Sequence, residues 1–326
     1  MHAFAGPFRR GPPARPSHTR HAMPPFAHAR FDAHVHVWGP LDGHTATMLG
    51  STPGTPPPPG DPAALLAALD AAGVAGACVV QPACYGYDHT YVGGVVAASG
   101  GRLTGCALAD PTASSPAAAA VTTAALLAPG SPFSALRFNP YLWPAGPEAM
   151  ADPVGLAMAA AAGEAGAPVC VMAFKGLAPL LPALRALAAS CPATPFILDH
   201  CGFAGVGRGE DAAALTALAA EYPDTMHVKA SALFRLGGGT AWPFAGAVGG
   251  PVRAALATFG PGRVLAGTDW PWVTDFCSYG EAWAALDGVW EGWEPESGGM
   301  SGGEARAAVE GGNAARLFRW KGGESG

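Results

Sequence analysis

Residues 31–37 read Phe-Asp-Ala-His-Val-His-Val, and the chain continues as Trp38-Gly39-Pro40. A short apolar run with β-branched Val in alternation reads as a strand. His34 and His36 are one residue apart, so the strand's period of two sends both imidazoles to the same face. Two neighbouring inward imidazoles are costly unless they meet a metal, a substrate oxygen or an acid. The plain alternative is one His satisfied by a backbone carbonyl and one in solvent. Asp32 beside the pair, and the polar residues at other strand ends, argue against that alternative.

Seven more runs of this kind follow, at 75–81 (AGACVVQ), 103–108 (LTGCAL), 134–138 (SALRF), 168–174 (PVCVMAF), 195–200 (PFILDH), 226–231 (MHVKAS) and 263–268 (RVLAGT). Ala- and Leu-rich helical stretches separate most of them, at 62–72, 89–99, 115–128, 152–166, 177–190, 211–221, 250–259 and 303–320. Asp61 and Asp88 stand where N-caps are expected. Apolar strands alternating with helices imply a parallel sheet buried on both faces. Eight such units fit an α/β fold of the (β/α)8 TIM-barrel type, in a single domain. A doubly wound sheet would carry a Gly-rich phosphate turn after its first strand; here that strand ends in His-Val-His-Val-Trp-Gly-Pro. The Gly cluster at 202–209 reads as a loop, and the Pro-rich piece 52–60 as an extended spacer within the first βα connection.

The 326 residues are 50% hydrophobic and only 13% charged, with 46 Gly and 33 Pro. That composition supports a sizeable core, and the Gly, Pro and Ala excess matches a base-composition bias better than disorder. The net charge is −6 and Lys occurs three times. No basic stripe is present, so nucleic acid is not an expected partner. No apolar stretch is long enough for a membrane span. Seven scattered Cys without a CxxC pair argue for a reducing compartment and against a disulfide framework. Residues 1–30 stand apart: they hold five Arg and no acid. They read as an organelle transit peptide, for chloroplast or mitochondrion, or as a disordered tail of a cytoplasmic protein. The barrel domain is then 31–326.

In a barrel of this kind the active groups come from the C-terminal ends of the strands. Here those ends carry His34 and His36, Arg137, Asp199 and His200, Lys229 and Ser231, and Asp269 in GTDWPW. Asp269 can take a proton from water; its plain alternative is a helix N-cap. Strand alternation turns Asp199 to the opposite face from His200, where it ties down a helix or loop. Arg137 has either a substrate carboxylate or carbonyl as partner, or a barrel carboxylate. Arg235 is a second candidate anion clamp. Lys229, in phase with Ser231, is a candidate buried ion-pair member. Tyr85, Tyr87 and His89 on the loop after the second strand suit a small polar ligand. Cys84 and Cys201 flank the proposed site, with no His and acid spaced to make either a nucleophile.

FDAHVHVWGP, QPACYGYDHTYV, LRFN, ILDHCG, VKAS with the following Arg235, and GTDWP together resemble the amidohydrolase superfamily. The similarity is to the amidohydrolase-related branch that includes the 2-pyrone-4,6-dicarboxylate lactonases, over about residues 31–320. The superfamily's metal pattern is HxH on strand one, Lys on strand four, His on strands five and six, and Asp on strand eight. His34, His36, His200 and Asp269 match it. Arg137 replaces the Lys, and PVCVMAF offers no His, so a binuclear centre is not expected. The resemblance implies a metal-free site. The alternative is one divalent metal such as Zn on His34, His36 and Asp269, with His200 as a further ligand. It also assigns Arg137 and Arg235 to substrate carboxylates. A further Arg of those lactonases is absent, its place taken by Phe203 and Ala204, and PYLWP adds none. The expected substrate is a small molecule, anionic but less so than a pyrone dicarboxylate. The expected activity is hydrolysis of a lactone or related carboxylic ester, with Asp269 as general base and His34, His36 and His200 polarising the carbonyl. The alternatives are a mononuclear metal-dependent hydrolase or decarboxylase, and an inactive barrel used as a binding protein.

Overall fold

The structure is a computed structural model that describes residues 29–40, 57–239, 241–294 and 299–322. The Arg-rich leader, apart from its last two residues, and most of the Pro-rich spacer lie outside the described residues.

Eight parallel strands run β1 Arg30–Val35, β2 Val74–Val80, β3 Leu103–Leu108, β4 Phe133–Phe138, β5 Val169–Val171, β6 Phe196–Leu198, β7 Met226–Ala230 and β8 Val264–Ala266. They pair in sequence order from β1 to β8. Just past β8, a bridge between Val35 and Trp270 brings the last strand back to the first. His36 N–H donates to Trp270 O at 2.7 Å, and Asp269 N–H donates to His34 O at 2.9 Å. The two decisive motifs thus form the seam that nearly closes the (β/α)8 barrel.

Six outer helices follow the first six strands: α1 Pro62–Ala71, α2 Thr90–Ala98, α3 Pro116–Leu126, α4 Pro153–Glu164, α5 Leu181–Ser190 and α6 Gly209–Glu221. Local chemistry sets several starts. Asp61 accepts from Ala64 N–H and Ser115 from Ala118 N–H, each with Pro in the first turn. Asp88, expected as a cap, stands one residue before the N-cap position, which His89 occupies, and accepts from Thr90 N–H. Helix α7, Arg253–Phe259, precedes β8. The C-terminal stretch forms helices Gly302–Ala307 and Asn313–Leu317 joined through a π-turn. Besides short turns such as Leu233–Leu236, a helix outside the expected stretches is α8, Tyr279–Asp287, which opens on a capping box of Ser278 and Glu281. Its signal, Ser-x-x-Glu, stands in the sequence.

The outward faces of the strands join the helices in the main core, while Ala33, Cys78, Val80, Cys106, Ala135, Cys170, Ile197 and Leu265 fill the barrel interior. Phe318 and Trp320 approach the Phe31 ring, at 6.3 and 4.9 Å, and so plug the floor from the C-terminal helix. β1 gains a residue against β2 between Asp32 and Val35. This bulge lets Ala33 and His34 both point inward, after which alternation resumes with His36 inward and Val35 and Val37 in the outer core.

Candidate active site

His34, His36, His200 and Asp269 converge at the open end of the barrel, above the plugged floor. Asp269 Oδ1 lies 3.3 Å from His36 Nε2, 3.7 Å from His34 Nε2 and 4.0 Å from His200 Nε2. Two backbone conformations aim these groups. Asp269 sits at φ +65°, a left-handed conformation Asp tolerates better than most residues. The segment from His200 to Phe203 has four consecutive residues at positive φ. Gly202 is one of them, and a Cβ there would meet Leu177 Cδ2 at 2.8 Å. Such strain persists where the surroundings over-determine it, commonly at functional sites.

That turn also corrects the reading of Asp199. β6 ends at Leu198 with Ile197 facing the interior. Asp199 keeps the inward phase of Ile197, and the left-handed turn then swings His200 inward as well. The alternation rule fails because the strand has already ended. Asp199 is fully buried and pairs with Lys229 Nζ at 2.9 Å and Arg137 Nε at 3.3 Å. Burial pushes the Asp199 carboxyl up, but Lys229, His34 and Arg137 outweigh that and hold it well below the carboxylate range. Lys229 is therefore the buried ion-pair member foreseen. Arg137, only 6% exposed, takes the barrel-carboxylate alternative.

Asp32, missed as a structural hub, accepts from His34 N–H, Thr268 N–H, Thr268 Oγ1 and Tyr279 Oη. It staples β1 to the strand-eight loop and to α8. Burial pushes its carboxyl up to about 6 against those hydrogen bonds. Gly267 belongs to the same staple, since a Cβ there would lie 3.0 Å from Asp32 Oδ1.

The proton inventory decides what the cluster can do. His36 Nδ1 lies 2.7 Å from Val80 O and must donate to it, leaving a lone pair on Nε2. His200 Nδ1 is 2.7 Å from Ser231 Oγ; with Ser231 donating, its Nε2–H faces the cleft. Burial lowers His200 to about 4 and holds His34 well below its usual range, so both are neutral. The Asp269 carboxyl would be raised by burial, yet His200, His36 and His34, which take up charge in acid before it can be protonated, hold it well below the usual range, so at neutral pH it is ionised. His34 has two options. With Nδ1 accepting from Lys229 at 3.3 Å, its Nε2–H donates to His36 Nε2, also at 3.3 Å. With Nδ1–H turned to Asp199 Oδ1 at 3.4 Å, three lone-pair atoms face one another.

In that second state His34 Nε2, His36 Nε2 and Asp269 Oδ1 form a group able to hold a metal ion. Their separations of 3.3, 3.3 and 3.7 Å match the edge of a tetrahedron with metal–ligand bonds of about 2.1 Å. The donor set therefore fits a divalent metal.

Above the cluster opens a cleft of about 610 Å³ lined by Phe174, Phe203, Phe234, Trp272 and Phe276, with Arg235 and Asp275 as its charged residues. Arg235 Nε donates to Asp269 Oδ2 at 3.3 Å, while its guanidinium lies over the Phe234 and Trp272 rings. Tyr85 and Tyr87 do not line this cleft. Tyr85 Oη accepts from Gly39 N–H, and its ring stacks on Tyr91. Tyr87 and His89 line a separate cavity of about 310 Å³ beside Asp110. Cys84 and Cys201 have thiols pushed up by burial, to about 11 and about 12, which disfavours the thiolate that a nucleophile needs.

No helix among the described residues is long and apolar enough to cross a membrane. No curated protein matches the chain. Solved structures do. A putative 2-pyrone-4,6-dicarboxylic acid hydrolase from Pseudomonas putida superposes with a TM-score of 0.68 at 22% identity, covering 90% of this chain and 98% of that one. A Burkholderia multivorans amidohydrolase with bound zinc gives 0.67 at 22% identity, covering 90% and 99%. The 5-carboxyvanillate decarboxylase of Sphingomonas paucimobilis gives 0.56 at 16% identity, covering 90% and 100%. At these identities the likeness shows the shared fold alone. A family profile described as Amidohydrolase matches residues 31–320, so the chain belongs to the amidohydrolase family.

Proposed function

We propose that the protein hydrolyses a lactone or related carboxylic ester. One observation carries this reading: an ionised Asp269 carboxylate, buried among three imidazoles, is joined through Arg235 to an open cleft that Arg235 lines. Water between Asp269 and a bound carbonyl gives up a proton to the carboxylate as its oxygen attacks the carbonyl carbon. The His200 Nε2–H, held toward the cleft when Ser231 donates to Nδ1, stabilises the oxyanion. His36 Nε2, 3.3 Å away, relieves Asp269 of the proton, which returns to the leaving alkoxide as the ring C–O bond breaks. His34 fixes the geometry and polarity of this pair from below. Arg235 holds Asp269 from the cleft side and offers its remaining N–H groups to a substrate oxygen.

A second reading keeps the reaction and adds a divalent metal on His34, His36 and Asp269, favoured by the tetrahedral spacing of their ligand atoms. Such an ion, when bound, supplies Lewis acidity toward the carbonyl and lowers the pKa of a bound water. A lactone panel with carboxylate product detected directly tests the reaction. Hydrolysis of at least one lactone is expected, and a protein that instead releases CO₂ from aromatic acids overturns the reading. Metal content with chelation and re-addition separates the two versions: activity that survives complete removal of metal excludes the second.

A further inference from the structure

We infer that the cleft selects a lactone with a flat, apolar or aromatic face that is uncharged or carries one anionic group. This rests on the proposed lactone or ester hydrolysis and names its substrate class. Among the described residues two Phe side chains are strongly exposed, Phe174 at 43% and Phe276 at 55%, and both line this cleft. Phe276 does not stand alone: it stacks on Phe234 with ring centroids 4.7 Å apart and planes 23° from parallel. Phe203 packs edge-on to His200 at 5.0 Å, so the aromatic wall runs from the mouth to the reacting groups. Other exposed apolar side chains, such as Val121, Val206 and Trp242, lie outside the cleft; here five aromatic rings share one concave site, and such a site marks a place that meets an apolar partner.

The polar lining argues the same way by what it can satisfy. Arg235 and Asp275 are the charged residues of the cleft, and they cancel. Arg235 already spends its Nε on Asp269. A dianionic substrate would meet one partly occupied cation and two carboxylates. A polyhydroxylated sugar lactone would bury hydroxyls against phenyl rings, leaving donors and acceptors unmet. A flat apolar ring meets neither penalty and stacks on Phe276 and Trp272.

The test compares isochroman-3-one with δ-valerolactone, which share ring size and an alkoxide leaving group and differ in the fused aromatic ring. Burying roughly 100 Å² of extra apolar surface at about 25 cal/mol/Å² corresponds to about 70-fold, so a preference of that order in kcat/KM is expected. Glucono-1,5-lactone is expected to be poorer than either. Phe276→Ala should lower the aromatic-to-aliphatic ratio about fivefold, and Phe276→Tyr should restore it. Calorimetric binding of the matching lactams, 1,4-dihydroisoquinolin-3-one and piperidin-2-one, reads the same preference without turnover. Lactam preference without Asp269-dependent lactone hydrolysis would retain the cleft assignment and discard the hydrolytic reading. Equal or inverted preference in both kinetics and binding, or a ratio unmoved by Phe276→Ala, overturns the inference.

Discussion

Two buried carboxylates in this barrel are surrounded by basic groups, yet they serve different ends. Asp199, deeper in the barrel, is fully enclosed and met by permanent cations, Lys229 and Arg137. Asp269, at the mouth, is met by three imidazoles and by one Arg whose side chain is 41% exposed. A carboxylate neutralised by cations that never titrate is inert and structural. A carboxylate facing rings that can accept, hold and release a proton, beside a cleft, is equipped for chemistry. His34 joins the two layers: its Nδ1 reaches Lys229 and Asp199 while its Nε2 faces His36 and Asp269.

The largest effect expected of breaking this contrast is in the lower layer. Lys229→Met leaves Asp199 charged and enclosed with one cation fewer. Breaking a buried pair costs about 3–5 kcal/mol. Chemical denaturation should register a loss of that size. Lys229→Met combined with Asp199→Leu should recover a good part of it, and a single variant as stable as wild type would refute the assignment.

A smaller effect concerns His227, at the foot of β7 with Nδ1 3.1 Å from Thr225 O. Burial lowers its pKa to about 4 from an ordinary 6.5. A base depressed in the fold contributes stability that is present above its unfolded pKa and lost as pH falls through the folded one. The window is therefore pH 6.5 down to about 4, and the full loss is on the order of 3 kcal/mol. His227→Gln removes this titration, so its stability relative to wild type should rise across that window. Parallel pH–stability curves for the two proteins would contradict it. His200 titrates in the same direction, also near 4, and so adds to the acid loss in both proteins.

The smallest effect separates the two arginines. Arg235→Met should raise KM several-fold for anionic lactones with little loss of stability, because its side chain is partly in solvent. Arg137→Met should behave in reverse, costing stability first, because its partner is Asp199. Arg137→Met that changes only KM would return it to substrate binding.

Much of this was legible in the sequence because barrel strands are short, apolar and regularly spaced. The run at 103–108 coincides with β3, and the others agree with their strands to within a few residues at each end. The HxH spacing, ILDHCG and GTDWP led to four side chains that do meet. What failed was parity past a strand's end: Asp199 and His200 face the same way because four residues turn left-handed, and only Gly202 among them hints at it. Tyr85 and Tyr87 looked equivalent in the loop sequence but point to different places, since a three-residue 3₁₀ turn at Ala83–Tyr85 separates their directions. The capping box of α8, Ser278 with Glu281, is legible in the sequence as Ser-x-x-Glu. Asp32 as a hub was not, because its partners Thr268 and Tyr279 are more than 230 residues away.

The most direct test of the account is the turnover of Asp269→Asn on a lactone that the wild-type protein hydrolyses. Asn keeps the shape and hydrogen-bonding reach of Asp but cannot take the proton. The account predicts a fall in kcat of about 10²–10⁴-fold, with KM little changed and the thermal midpoint close to wild type. Near-full turnover in well-folded Asp269→Asn protein would contradict it, because the mouth of the barrel would then have no base.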